Sequence, residues 1–143
     1  MKRMLLAAAL AIASAACFAR TPALPTTKAP ASAEAYIISP ADGATVGREV
    51  TVRFGLKGMG VAPAGVAKEH TGHHHLLVDV TDLPPAGQPI PNDEHHMHFG
   101  GGQTQTTLKL TPGTHTLQLE LGDANHVPFD PPVVSKRITI HVK

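Results

Sequence analysis

Apolar residues in this chain recur at every second position, and proline or glycine interrupts each run before it grows long. Val50, Val52, Phe54 and Leu56 fall on one side of an extended segment, with Thr51, Arg53 and Lys57 on the other. The same alternation sets Leu76, Val78 and Val80 against Leu77 and Asp79. It sets Thr106, Leu108 and Leu110 against Thr107 and Lys109, and Leu117, Leu119 and Leu121 against Gln118 and Glu120. At the end, Ile138, Ile140 and Val142 alternate with Arg137, Thr139 and His141. Successive side chains of a strand point to opposite faces, so a two-residue period marks strands with one buried face. With Tyr36–Ile38 the pattern predicts six strands. No window has a helical period, and thirteen prolines with thirteen glycines argue against helices. One-sided strands joined by short turns pack as two antiparallel sheets face to face. The expected fold is therefore all-β, an immunoglobulin-like antiparallel β-sandwich, with a small closed barrel as the alternative. The cysteine pair and core tryptophan of antibody domains are missing, so the likeness is to the architecture alone.

The two ends of the chain read differently. Lys2 and Arg3, the apolar run Leu5 to Ala13 and the small residues Ser14 to Ala16 have the three-part plan of a secretory signal peptide over residues 1–19. The apolar run is too short for a permanent membrane span. Cys17, the single cysteine, follows Ala15-Ala16 as in a bacterial lipobox, and is a candidate for lipidation. Ordinary cleavage after Ala16 or Ala19 is the other option. No intrachain disulfide can form in either case. Residues 20–34 are rich in Pro, Ala and Thr and read as a flexible tether, leaving residues 35–143 as one domain. After loss of residues 1–19 the net charge is about −1, which gives no electrostatic case for nucleic acid.

Seven of the ten histidines fall between His70 and His98, in two knots. His70, His73, His74 and His75 lie in EHTGHHHLLVDV, and His95, His96 and His98 in NDEHHMHFGGG. Imidazole nitrogen is a common ligand for zinc and copper. Within a strand His73 and His75 share a face, and so do His96 and His98, while Met97 points the other way. His74 has the parity of Leu76 and is expected to face the core as a neutral ring hydrogen-bonded to backbone. His115 has the parity of Leu117 and invites the same reading; His141 has the outward parity of its strand. His126 sits in the loop GDANHVPFDPP beside Asp123. The candidate metal ligands are His73, His75, His95, His96, His98 and His126, for a copper or zinc ion. Glu69, Asp93, Glu94 and Asp123 are candidates to orient ligand rings through hydrogen bonds.

One ion needs both knots. A direct hairpin with Val80 opposite His95 would put His75 opposite Gly100 and separate the knots by about 17 Å. The Pro-rich connection Thr81–Glu94 is long enough to run back and return the second knot beside the first, and that is the expected course. Gly100 to Gly102 reads as a turn or bulge, since no Lys-Ser/Thr follows to make a phosphate loop. No serine sits beside a histidine in a nucleophile-elbow context, so an enzyme is the weaker reading.

The segments ISPADGATV, GLKGMGVAPAG, TGHHHLLVDV, DEHHMHFGGGQT and PGTHTLQLELGDANH together resemble an uncharacterised family of exported bacterial single-domain proteins, a domain of unknown function. The resemblance covers nearly all of residues 36–142. It implies export and one compact domain, and no ligand or substrate. Two functional readings follow from the residues. The first is a periplasmic or lipid-anchored protein binding copper or zinc for storage, delivery or detoxification. The second is an envelope interaction or ligand-binding module, partnered by another envelope protein, whose histidines are structural or sense pH.

Overall fold

Extended segments with one apolar face cannot stay single, and here they pair into two sheets. The structure is a computed structural model and describes residues 21–143; the expected signal peptide over 1–19 and Cys17 lie outside the described residues. Among the described residues there are nine strands and no helix. They are β1 (Glu34–Ser39), β2 (Thr45–Val46), β3 (Glu49–Lys57), β4 (Gly60–Val61), β5 (Thr71–Val78), β6 (His96–His98), β7 (Gln105–Lys109), β8 (Gly113–Gly122) and β9 (Ile138–Val142). One sheet has the order β1-β3-β7, antiparallel throughout. The other has the order β2-β9-β8-β5-β4, with β6 also on β5. The six expected strands are all present; the three extra ones are short and pair at edges.

The core lies between the sheets. Val50, Val52 and Phe54 of β3 and Leu108 of β7 meet Leu76 and Val78 of β5, Leu117, Leu119 and Leu121 of β8, and Ile138, Ile140 and Val142 of β9. These are the faces expected from the alternation. Leu56, Leu110 and Val80 were expected to be buried with them and are only half-buried. Val80 lies beyond the end of β5, where Asp79 takes a positive φ of 57° and turns the chain out of the sheet.

A second departure matters more for function. Leu77 and Glu120 have the outward parity of their strands, yet both are buried, and Gln118 and Thr139 are half-buried where exposure was expected. The outer face of β5 and β8 is covered. The connection after β5 and the long segment between β8 and β9 lie over it, tied together by Ile90 N–H donating to His126 O at 2.8 Å. The β8–β9 segment also bonds to β8 through Leu121 N to Val133 O at 3.0 Å and Ser135 N to Leu119 O at 2.9 Å. Ile90 and Val127 are buried beneath this cover. As a result β5 is buried on both faces from Gly72 to Val78.

Residues 21–33, read from sequence as tether, run along the same covering layer. Leu24 N donates to Gly87 O at 2.7 Å, Ala29 N to Asp130 O at 3.0 Å, and Thr27 Oγ1 to Asp123 Oδ2 at 2.7 Å.

Candidate metal centre

The site begins with the pleat of β5. His73 and His75 point to the outer face and His74 to the inner one, where its ring stacks 5.2 Å from Phe54. His74 is buried as its parity requires. Both of its ring nitrogens lack a partner, however, so the expected backbone hydrogen bond is not made. Burial alone pushes its pKa down to about 4, leaving a neutral ring in an apolar core.

The connection after β5 does return the second knot beside the first. β6 pairs antiparallel with β5 in the register His75↔His98, Leu76↔Met97 and Leu77↔His96. This is two residues away from the direct hairpin, and it sets His98 beside His75 on the same face. Met97 turns the opposite way and packs against the core. His126 arrives from the β8–β9 segment, in a tight turn at a positive φ of 66°. Asp123 builds that turn. Its Oδ1 accepts from Asn125 N at 2.8 Å and Val127 N at 3.0 Å, while Oδ2 takes the Thr27 hydroxyl.

Four imidazoles thereby converge. His73, His75, His98 and His126 each offer one ring nitrogen, and these four atoms all lie within 4.8 Å of one another. His73 Nε2 is 3.1 Å from His126 Nδ1 and 3.1 Å from His75 Nε2. Nitrogens bound tetrahedrally at 2.0–2.1 Å from zinc stand about 3.3–3.4 Å apart, so the group is already near a ligand polyhedron. Two glycines make room for it. A Cβ on Gly122 would stand 2.9 Å from His75 Nε2, and one on Gly100 would stand 2.7 Å from His98 Nε2. The Gly-rich stretch after the second knot, read from sequence as a plain turn, therefore also clears space for a ring.

The electrostatics favour the ligating state. Burial pushes His73 down to about 4, helped by neighbouring His98 and His126 and opposed by the Asp123 carboxylate. Burial and the same neighbours push His75 down to about 3, and His98 is lowered for the same two reasons. At neutral pH these rings are uncharged, as a metal ligand must be. A cavity of about 220 Å³, lined by His75, Ile90, Asn92, His98 and His126, opens from the group to solvent.

His95 and His96, also read as candidate ligands, stand apart. The register carries His96 opposite Leu77, and its Nδ1 is held at 2.9 Å by Asp93 Oδ1. His95 is exposed; its Nδ1 donates to Val78 O at 2.9 Å, and its Nε2 is 3.7 Å from Glu94. Asp93 and Glu94 thus serve rings outside the group, and Glu69 faces exposed His70 at 3.5 Å. Of the four carboxylates considered, Asp123 alone acts on the site, through the loop that carries His126 and the charge it places near His73. Sequence reasoning passed over Glu120, which is fully buried on the same outer face, directly opposite His75. Burial pushes its carboxyl up to about 7. Only its position two residues along from Gln118 on a nominally outward face could have flagged it, and that pattern reads as solvent exposure.

Comparison with curated proteins and with solved structures gives no match. A family model matches residues 52–143, a span that holds all four converging histidines, and the chain belongs to that family, the domain of unknown function DUF4399.

Proposed function

We propose that this protein binds a divalent transition ion, copper(II) or zinc, in the four-imidazole centre, for storage, delivery or detoxification in the bacterial envelope. The observation that carries the reading is the convergence of four ring nitrogens, from three separate parts of the chain, within 4.8 Å. Hydrogen-bonded histidines are common, but four imidazoles facing one point gain little from each other. An ion at that point would satisfy all of them. The donor set is all nitrogen, since Met59 and Met97 pack against the core, and this suits copper(II) and zinc better than copper(I). The immunoglobulin-like reading is supported by strand order: β1-β3-β7 corresponds to strands A-B-E of that fold and β9-β8-β5 to G-F-C. Export rests on the signal-like sequence of residues 1–19, and lipid anchoring on Cys17.

The test is elemental analysis of untagged protein recovered from the periplasm, joined to thermal unfolding with added zinc or copper. One equivalent of metal per chain is expected. Ion at about 100 times Kd should add about 2.7 kcal/mol of stability, a rise in midpoint of roughly 10 °C for a domain this size. An unmoved midpoint with both ions would end this reading. The specific observation that favours the second reading, an interaction module, is that His73, His75 and His126 hydrogen-bond to one another directly. The same titration separates the two.

A further inference from the structure

Glu120 is the one buried carboxylate that neither the fold nor the centre yet accounts for. It is 0% exposed, and both of its carboxylate oxygens lack a hydrogen-bond partner. A buried acid without a partner is costly to any fold. A glutamine of the same shape would avoid the charge and lower that cost, so a structural role alone leaves the carboxylate unexplained.

Its place in the sheet is specific. The register of β5 and β8 sets Glu120 directly opposite His75, one pair along from His73 opposite Gly122. Directly opposed residues of an antiparallel pair share a face, with Cβ atoms about 4.5–5.5 Å apart. A glutamate side chain can therefore reach the facing imidazole. His75 directs Nε2 toward His73 and the centre, 3.1 Å away. Its other nitrogen, Nδ1, is buried and has no partner. A neutral imidazole that gives one nitrogen to an ion carries its proton on the other, and that N–H needs an acceptor. The unmatched acceptor and the unmatched nitrogen thus belong to directly opposed residues of neighbouring strands. Charge points the same way. Four neutral rings bring no negative charge to a divalent ion, and the Asp123 carboxylate is already engaged by Asn125 N, Val127 N and the Thr27 hydroxyl.

We propose that Glu120 is the positioning carboxylate of the centre, accepting the Nδ1–H of His75 so that Nε2 is held on the ion, and supplying negative charge beside a buried dication. This rests on the metal-binding reading above. With zinc as the probe, Glu120→Gln in the full chain should weaken binding about 10- to 100-fold, the usual effect of losing such a carboxylate. Glu120→Asp, which keeps the charge, should recover a large part of that loss. In zinc-loaded wild-type protein, long-range ¹H–¹⁵N spectra should show His75 Nδ1 protonated, with its proton shifted downfield. That proton should move upfield in Glu120→Gln. The wild-type spectrum decides the matter even if a substituted chain folds poorly. Zinc affinity in Glu120→Gln within threefold of wild type overturns the proposal. So does a zinc-loaded wild type in which His75 binds through Nδ1. In both cases the metal reading survives. Wild-type protein that takes up neither zinc nor copper removes both together.

Discussion

His73 and His115 lie on neighbouring strands of one sheet, and their surroundings push their pKa values in opposite directions. His73 is buried among other imidazoles, and burial is the largest cause that lowers its pKa. His115 sits near the start of β8, where Nδ1 donates to Asp79 Oδ2 at 2.7 Å and Nε2 donates to Thr111 O at 2.8 Å. Two acceptors on one ring call for two protons, so His115 is raised, with the Asp79 hydrogen bond as the first cause. His96 also gives its Nδ1 to a carboxylate, Asp93 Oδ1, at 2.9 Å. The lesson is that histidine density says little until each ring's neighbours are known. A ring that donates to a carboxylate, as His115 does to Asp79, has its cation favoured. Rings that face only one another and the core are held neutral, and neutral imidazole is the form that binds metal.

The sharpest way to break this contrast is to remove single rings. His73→Ala or His98→Ala should lower zinc affinity by more than about 100-fold, exceeding the effect of losing an outer hydrogen-bonding partner. His96→Ala should change affinity less than about threefold. Competition against a chromogenic chelator reads both, and a loss in His96→Ala equal to that in His98→Ala would erase the distinction. Gly100→Ala comes next. Its new methyl would press on the His98 ring, and an affinity loss of about tenfold is expected with the fold intact by circular dichroism.

The pH response of the metal-free protein sharpens the comparison further. His73 and His75 have folded pKa values of about 4 and about 3, against an ordinary value of 6.5. Their effect on stability is therefore favourable above about pH 6.5, where the unfolded chain also leaves them neutral. It is lost as pH falls below 6.5 toward 4, because the unfolded state then takes up protons the folded state resists. Urea midpoints measured from pH 7.5 down to 4.5 should fall, and fall less in a His73→Phe chain. His115 runs the other way. Its contribution is complete below about pH 6.5 and fades as pH rises through its raised folded value. Asp79→Asn should flatten that alkaline side by less than about 1 kcal/mol. His141→Ala, at an exposed position with one 3.3 Å contact to Thr114, should leave both metal affinity and stability unchanged.

Much of this was written in local pattern. The alternation of Val50, Val52 and Phe54, and of Leu117, Leu119 and Leu121, fixes which face of each strand is buried, because the pleat leaves no other choice. The same rule puts His73 and His75 together and turns His74 to the core. It also turns Met97 away from the ligand side. Local pattern could not decide between His98 and His96, which share a face and differ by a two-residue step of register. That step depends on how the connection between β5 and β6 packs, and so on Asp79, Ile90 and the layer over the sheet. Nor could it show that Leu77 and Glu120 are covered, since a parity argument assumes that the face away from the core meets water. The covering segments carry no period of their own; they are held by hydrogen bonds between residues far apart in sequence, such as Thr27 to Asp123 and Ile90 to His126. Strand faces are a local property of the backbone and so are legible one residue at a time. The meeting of four rings at one point is a property of register and of loop docking, and only the folded chain determines it.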